Sequence, residues 1–313
     1  MRLGHIGLGT GRPRIAAAAA AAGVVVVGVV VAPTATAAPV LVLPAAQSDP
    51  ADFAPADTAA IRPGVVTETV GGGACTTNFV FTAGGRTFIG QAAHCAGTGE
   101  ATETNGCDSG TGPLGTEVAI QAADGTQRTG TLAYSSWVAM QENGETDLDV
   151  CQFNDFALVE IAPEDVADVN PTVPFFGGPT GVDSDGVPAG EQVYSYGNSP
   201  LRLGISELSP KVGVSAGDVG GGFGHEVYTL TPGVPGDSGS AYLDADGEAI
   251  GLLSTLNLAP LPLSNGLSDL AMALAYANAN GGLGEIELVP GTEAFTASPA
   301  ATLPTPAGPP IGG

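Results

Sequence analysis

Residues 236–240 read Gly-Asp-Ser-Gly-Ser, and far upstream residues 92–95 read Ala-Ala-His-Cys. Between them, residues 154–159 read Asn-Asp-Phe-Ala-Leu-Val, in which an aspartate opens an apolar run. A histidine, an aspartate and a serine therefore follow one another at domain-scale spacing. That order is one of the known arrangements of a base, an orienting carboxylate and a nucleophile.

The chemistry of such a set explains why these three residue types must meet in space. A serine hydroxyl is a poor nucleophile at neutral pH, so Ser238 needs His94 to take its proton. Asp155 would hold the imidazole in the right tautomer and stabilise the imidazolium that forms. The backbone amides of Gly236 and Ser238 are the expected oxyanion hole, in which the loss of one donor typically raises the barrier by about 3 to 4 kcal/mol.

Each motif alone also has a structural interpretation. Gly, Asp and Ser are turn formers, so residues 236–239 could be a turn. A lone histidine beside a cysteine is more often structural, and Asp147 and Asp149 are rivals to Asp155. Only Asp155 directly precedes an apolar run, and the three motifs in order favour a catalytic site.

Taken together, the three motifs resemble the secreted bacterial branch of the chymotrypsin-like (trypsin-like) serine proteases over about residues 65–285. The resemblance implies an all-β fold of two antiparallel β-barrels, with the active site between them and a C-terminal helix. It also implies a secreted serine endopeptidase that cleaves protein or peptide substrates through an acyl-enzyme intermediate. We expect a monomer with no metal and no organic cofactor.

The domain organisation is predicted from the composition, from short β-favouring runs and from the family resemblance. A basic start, an uncharged Ala/Val-rich run and Ala-Thr-Ala at residues 35–37 are typical of a signal peptide, although the run is long enough to be an uncleaved membrane anchor. Apart from that run, nothing resembles a membrane span. The predicted segments are a signal peptide over 1–37, a leader or short pro-segment over 38–62, a protease domain over 63–285 and a disordered Pro-rich tail over 286–313. Within the protease domain, the two barrels are expected at about 65–163 and 187–258. A helix capped by Ser268 is expected at about 268–280.

The charge balance is strongly acidic, with 32 Asp and Glu against 8 Lys and Arg and a net charge of −24. All the acidic residues follow residue 37, whereas three of the basic residues precede it. Such a field repels phosphates, so nucleic acid is a poor partner. A well-solvated surface is the simplest interpretation of the charge.

Four cysteines follow the predicted signal, which suits an oxidising compartment. Cys75 and Cys95 bracket a predicted hairpin, and the resemblance implies a bridge between them that clamps the histidine loop. Cys107 would then pair with Cys151, close to the aspartate. Three connectivities are arithmetically possible, and zinc binding is disfavoured because no Cys-x-x-Cys spacing is present.

The resemblance also places the pocket for the substrate side chain before the scissile bond, called P1. Its walls would be residues 232–235, including Pro232 and Pro235, and residues 254–256, Ser254, Thr255 and Leu256. The family usually has glycine where this chain has Leu256, and no acidic residue stands where a trypsin-like enzyme binds a basic side chain. We therefore expect a small or medium apolar P1 residue.

Activation must differ from that of the animal enzymes, because no Ile-Val-Gly-Gly-like sequence is present. Bacterial relatives pair the aspartate beside the nucleophile with an internal arginine. Arg202 is the candidate partner of Asp237, with an ordinary surface charge as the alternative. His225 has no second His or Cys at ligand spacing and is expected to be a loop histidine.

Two other functions are compatible with the sequence. A catalytically weak or inactive homologue could use the cleft to bind peptides. Leu256, which replaces the usual glycine of the family, favours this function weakly. An esterase could use the same nucleophile on non-peptide acyl groups. Hydrolysis of a peptide amide compared with that of an activated ester would separate these cases.

Overall fold

The computed structural model describes residues 53–100, 103–257 and 262–297. The predicted signal peptide and residues 38–52 of the predicted leader lie outside this part of the chain. Within the described ranges, no helix has both the length and the apolar character needed to cross a membrane.

Two antiparallel β units make up the described chain, and the predicted all-β fold class is confirmed. The first unit is an eight-stranded sheet made of β1 (Val66–Thr69), β2 (Ala74–Thr76), β3 (Val80–Ala83), β4 (Arg86–Gln91), β5 (Glu117–Gln121), β6 (Gln127–Ser135), β7 (Ala157–Ile161) and β14 (Glu287–Leu288). Its strand order is β14-β3-β4-β7-β6-β5-β1-β2.

The first sheet curls so that distant strands meet. Thr67 Oγ1 on β1 donates to Gln91 Oε1 on β4 at 2.8 Å, and Gln91 Nε2 donates to Thr69 Oγ1 at 3.1 Å. The curled sheet encloses its own apolar core, in which Ile89 and Ile120 are fully buried.

The second unit is a closed six-stranded barrel with the order β10-β13-β12-β11-β8-β9. Its strands are β8 (Gln192–Tyr196), β9 (Pro210–Val219), β10 (Gly224–Thr229), β11 (Ala241–Leu243), β12 (Ala249–Leu256) and β13 (Asn265–Asp269). The barrel therefore extends past residue 258, where the sequence predicted its end, because β13 pairs with both β10 and β12.

A shared aromatic core fixes the position of one β unit on the other. The rings of Phe81 and Phe156, from the first sheet and the loop before β7, pack edge to face with centroids 5.4 Å apart. The same buried cluster continues into the barrel through Tyr194 and Leu243. Because this packed core is shared, the two units keep a fixed arrangement, and residues from both can form one site.

The described ranges also contain three α-helices: α1 (Ser136–Asn143), α2 (Leu148–Phe153) and α3 (Leu270–Asn280). The C-terminal helix is capped by Asp269, whose Oδ1 accepts from Met272 N at 2.6 Å, and not by Ser268 as predicted. Ser268 lies in β13, and its hydroxyl is engaged elsewhere. The helices α1 and α2, which lie between β6 and β7, were not predicted.

Both ends of the described domain differ from the sequence expectation. The predicted tail is corrected over residues 286–297, because Ile286 is buried, β14 pairs with β3 and the ring of Phe295 packs 5.4 Å from that of Tyr194. Residues 298–313 lie outside the described part. The end of the predicted leader also packs on the domain, since Ile61 is buried and bridges to Val169.

Candidate active site

The pairing of β4 with β7 brings the predicted base and the predicted carboxylate together. Gln91 at the end of β4 lies opposite Ala157 at the start of β7. In an antiparallel pair, the residues just after one strand and just before the other lie at the same edge. His94 follows β4 by three residues and Asp155 precedes β7 by two, so their side chains meet there.

Asp155 holds His94 through two hydrogen bonds. Its Oδ2 lies 2.6 Å from His94 Nδ1, and its Oδ1 accepts from the His94 backbone N at 2.8 Å. The carboxylate also accepts from Ser254 Oγ at 2.6 Å, and the Asp155 backbone N donates to Ser268 Oγ at 3.1 Å. Ser254 on β12 therefore orients the Asp155 carboxylate, and Ser268 on β13 holds the Asp155 backbone. Asp155 itself lies just before β7 of the first sheet.

The electrostatic environment of His94 favours its charged form. Burial opposes the imidazolium, but the negative charge of Asp155 and its hydrogen bond outweigh burial and raise the pKa of His94 above 6.5. The rival carboxylates have other roles or positions. Asp147 accepts from two backbone amides at the start of α2, and Asp149 is exposed.

Ser238 lies in the loop between β10 and β11, and it lines the same cleft as His94 and Asp155. Within the described residues, no hydrogen bond joins Ser238 Oγ to His94. Thr76 N donates to the Ser238 carbonyl at 2.8 Å, which ties the loop to the first sheet. This approach requires Gly239, whose φ is +85° and where a Cβ would lie 2.6 Å from the Thr76 carbonyl oxygen.

Two backbone amides near Ser238 are free to bind an anion. Neither Gly236 N nor Ser238 N donates a hydrogen bond to another described residue. The carbonyl of Asp237 accepts from Ser240 N at 3.0 Å and from Ser240 Oγ at 2.5 Å. Because N–H and C=O of a trans peptide point in opposite directions, these bonds turn the Ser238 N–H away from Ser240. Gly236 and Ser238 both line the cleft.

Asp237 is fully buried and binds two cations. Its Oδ2 lies 2.5 Å from Arg202 Nη2 and 3.1 Å from Lys211 Nζ, and its Oδ1 accepts from Ser199 N at 2.9 Å. The structure thus brings together the predicted pair Asp237 and Arg202, and it adds Lys211, which the sequence analysis missed. Burial opposes the charged form of Asp237, but the hydrogen bond from Arg202 and the charge of Lys211 hold its pKa below the ordinary value.

The cleft has a volume of about 710 Å3 and contains most of the predicted pocket residues. Pro235, Thr255 and Leu256 line it, together with Ser254, whose hydroxyl points to the Asp155 carboxylate. Pro232 does not line the cleft, and its carbonyl accepts from Arg202 Nη2 at 3.0 Å.

Asn265, which the sequence analysis missed, joins the two walls of this pocket. Its Oδ1 accepts from Gly233 N at 2.7 Å, and its Nδ2 donates to the carbonyls of Gly233 and Thr255 at 3.2 and 3.1 Å. Asn265 is fully buried, and a Cβ placed on Gly233 would collide with the side chain of Leu253. Asn265 therefore ties residue 233 to residue 255, and Leu253 packs against Gly233.

His225 is not a loop histidine, contrary to the sequence prediction. It lies on β10, is 1% exposed and binds a carboxylate on each side: Nδ1 lies 2.8 Å from Asp218 Oδ1, and Nε2 lies 2.8 Å from Asp269 Oδ2. Burial opposes its charged form, but the two carboxylates outweigh burial and raise the pKa of His225 above 6.5. The alternation of β10 could have indicated burial, but the partner Asp269 lies 44 residues away in sequence.

The cysteines form two bridges, Cys75 to Cys95 and Cys107 to Cys151. The first joins β2 to the turn that carries His94. Cys75, His94 and Cys95 are close enough together to suggest a metal site. Both sulfurs are already used in the disulfide, so this trio does not have the thiolate ligands that a metal would need.

No protein-family model matches the chain, and no curated protein matches it. Solved bacterial proteases are similar to it in fold. Thermobifida fusca protease A is 19% identical with a TM-score of 0.45, over 74% of this chain and 100% of that one. Nocardiopsis protease is 16% identical with a TM-score of 0.43, over 73% and 98%. Cellulomonas bogoriensis chymotrypsin is 16% identical with a TM-score of 0.44, also over 73% and 98%.

Proposed function

We propose that the protein is a serine endopeptidase in which Ser238, His94 and Asp155 form the catalytic triad. The observation that carries this proposal is the 2.6 Å contact between Asp155 Oδ2 and His94 Nδ1 in a cleft that also holds Ser238 and two free backbone amides. A nucleophile, an oriented base and anion-binding donors are the parts that acyl transfer needs.

The reaction would begin when Ser238 Oγ attacks the scissile carbonyl carbon and His94 Nε2 takes the hydroxyl proton. The carbonyl oxygen becomes negative, and the amides of Gly236 and Ser238 bind it. His94 then gives the proton to the leaving amine as the C–N bond breaks, which leaves an acyl-enzyme on Ser238. Water, deprotonated by His94, attacks the ester carbonyl, and the proton returns to Ser238 as the acid product leaves.

Apo enzymes often have long or poorly aligned catalytic hydrogen bonds that tighten only when substrate binds. The missing hydrogen bond between Ser238 and His94 is compatible with this behaviour. The backbone of Ser238 is already held by Thr76, whose N donates to the Ser238 carbonyl at 2.8 Å.

The apolar residues of the cleft walls support a small or medium apolar P1 residue. Leu253 and Leu256 line the cleft, and Leu256 has 37% of its surface exposed. Asn265 ties the two walls together, and a substrate side chain that disturbed it would leave the amide of Gly233 without its partner, which typically costs about 1 to 3 kcal/mol.

We propose that the protein is secreted by means of the predicted signal peptide over residues 1–37. Two disulfides support an oxidising environment. We infer that the substrates are extracellular proteins or peptides.

A fluorophosphonate probe tests the function directly. We expect covalent labelling of Ser238 in the wild-type protein, identified by peptide mapping, and cleavage of casein in parallel. Ser238→Ala is the control and must lose both signals. Labelling without hydrolysis of any peptide amide, together with hydrolysis of activated esters, would identify an esterase instead. A folded, correctly processed wild-type protein that is not labelled would contradict the proposal and favour a peptide-binding homologue.

A further inference from the structure

One buried hydroxyl has no part in the triad but lies beside residues 230–240, the loop that carries Ser238 and is called the nucleophile loop below. Ser199 is 2% exposed, and its Oγ donates to the carbonyl oxygen of Pro235 at 2.6 Å. Among the described residues, no other group donates to that carbonyl. The bond therefore acts on the peptide unit between Pro235 and Gly236, whose N–H is one of the two expected oxyanion donors.

The direction of this peptide unit decides whether the donor is available. In a trans peptide the N–H lies on the side opposite the carbonyl oxygen. With the Pro235 carbonyl held by Ser199, the N–H of Gly236 points away from Ser199 and remains unbonded. A rotation of the peptide plane by half a turn would put a carbonyl oxygen where the oxyanion needs a donor.

Glycine at position 236 makes such a rotation inexpensive. Its φ is +95°, a value that other residues adopt only with strain, and glycine populates positive and negative φ about equally well. The backbone conformation at Gly236 thus does not select the competent orientation by itself, and an external contact must do so.

The adjoining peptide units are held by other contacts. The Gly236 carbonyl accepts from Thr76 Oγ1 at 2.8 Å, and Asp237 N donates to the Val234 carbonyl at 2.8 Å. The unit between Asp237 and Ser238 is held by two bonds from Ser240. Only the unit between Pro235 and Gly236 depends on a single side-chain donor.

We propose that Ser199 is a positioning residue that keeps the Gly236 N–H directed into the oxyanion hole. Its own backbone N donates to Asp237 Oδ1 at 2.9 Å, so Ser199 is itself anchored to the buried carboxylate of the nucleophile loop. Residues 199–202 then control the loop twice, through the Ser199 hydroxyl on a backbone carbonyl and through the Arg202 guanidinium on Asp237. The inference rests on the proposed peptidase function.

The test compares Ser199→Ala with the wild type on a peptide amide substrate. We expect kcat to fall by about 10- to 100-fold, approaching the effect of losing one oxyanion donor, while KM changes less than threefold. A peptide aldehyde, whose adduct with Ser238 bears the oxyanion, should bind more weakly by the same factor. The peptide alcohol of the same sequence, which forms no adduct, should bind both proteins equally.

Ser215→Ala is a matched control. Ser215 is also 2% exposed, and its Oγ also donates to a backbone carbonyl, that of Val187 at 2.8 Å. It lies on β9 and does not line the cleft. A comparable loss of stability with unchanged kcat and aldehyde affinity is expected for this variant.

Ser199→Cys provides a second measurement if Ser199→Ala does not fold, because the thiol fills the space but is a weak donor. Its kcat and aldehyde affinity should fall together, to values between those of alanine and serine. Active-site titration of each preparation separates a slower enzyme from a smaller folded fraction. Wild-type aldehyde affinity in a folded Ser199 variant would overturn the inference while leaving the peptidase intact; an inactive wild type would instead refute the proposed function.

Discussion

Lys211 and Asp237 form an ion pair inside the protein, with Nζ 3.1 Å from Oδ2 and neither side chain exposed. Because Arg202 binds the same oxygen, one buried carboxylate faces two cations. Burial lowers the pKa of Lys211 below its ordinary value, against the attraction of Asp237. Two cations therefore neutralise Asp237, which lies beside Ser238: Arg202 in the turn at residues 200–202, and Lys211 on β9.

This duplication predicts that either cation alone can keep the loop in place. Arg202→Met and Lys211→Met should each leave one paired cation on Asp237 and reduce kcat only moderately. The double variant leaves Asp237 buried without a counter-ion, and we expect it to lose about 3 to 5 kcal/mol of stability together with its activity. Urea unfolding and kcat, measured in a double-mutant cycle, give the coupling between the two cations.

The control for that cycle is Arg86→Met, which removes an ion pair with Glu160 that is partly exposed and distant from Asp237. It should change stability by less than about 1 kcal/mol and show no coupling to Lys211. If Arg202→Met alone removes all activity while Lys211→Met is silent, the duplication is wrong and Arg202 acts alone.

The raised pKa of His94 predicts the acid limb of the pH profile. In the proposed mechanism His94 must be neutral to accept the Ser238 proton, so kcat/KM should rise with pH through the His94 pKa, at a midpoint above 6.5. Asp155→Asn removes the charge that opposes the effect of burial, so the midpoint should move to lower pH. The same change should reduce kcat by roughly 10,000-fold, as expected for loss of the orienting carboxylate.

A pH profile of the peptidase in both proteins checks this, with the free-enzyme midpoint read from kcat/KM. Asp147→Asn is the matched control, because Asp147 caps α2 and does not touch His94. An unchanged midpoint in Asp155→Asn would mean that another group sets the acid limb.

Local motifs predicted the candidate residues but not the partners that only the fold brings together. His94, Asp155 and Ser238 stand in short motifs whose residue types suit acyl transfer, so they could be named as candidates, and the structure brings His94 and Asp155 into contact and places Ser238 in the same cleft. Lys211 and Asn265 were missed because a single lysine on a strand, or an asparagine at the start of one, has no local pattern that reports burial against a distant partner. The packed segment was mistaken for tail because residues 290–297 contain Pro, Gly, Thr and Ala like the residues that follow, although residues 286–289 read Ile-Glu-Leu-Val.

The bridge between Cys107 and Cys151 should stabilise the segment that delivers Asp155. Its sequence separation is 44 residues, and closing a loop of that size is worth about 4 kcal/mol in the chain-entropy model. Replacing both cysteines by serine should lower the free energy of unfolding by up to this amount. At urea concentrations well below the unfolding midpoint of the variant, kcat should fall by a smaller factor than the equilibrium constant of folding, because β7 still holds Asp155 beside His94.

Urea unfolding and kcat of the double-serine variant test this expectation. The single variant Cys107→Ser is the comparison, since it removes the same bridge but leaves one free thiol. A complete loss of activity in folded protein would show that the bridge positions Asp155 directly.

His225 links the stability of the second barrel to pH. Both ring nitrogens face carboxylates, Asp218 on β9 and Asp269 at the start of α3, so the charged imidazolium can donate to both. Its pKa in the folded protein is raised above 6.5, because the two carboxylates outweigh the effect of burial. The stabilisation is thus fully present below pH 6.5 and is lost as the pH rises through the folded-state pKa.

His225→Gln cannot titrate, and the difference in unfolding free energy between wild type and this variant should shrink from pH 5.5 to pH 9. Asp218→Asn should lower the pKa of His225 and move the same loss to lower pH. A difference that stays constant across this range would show that His225 does not change its charge there.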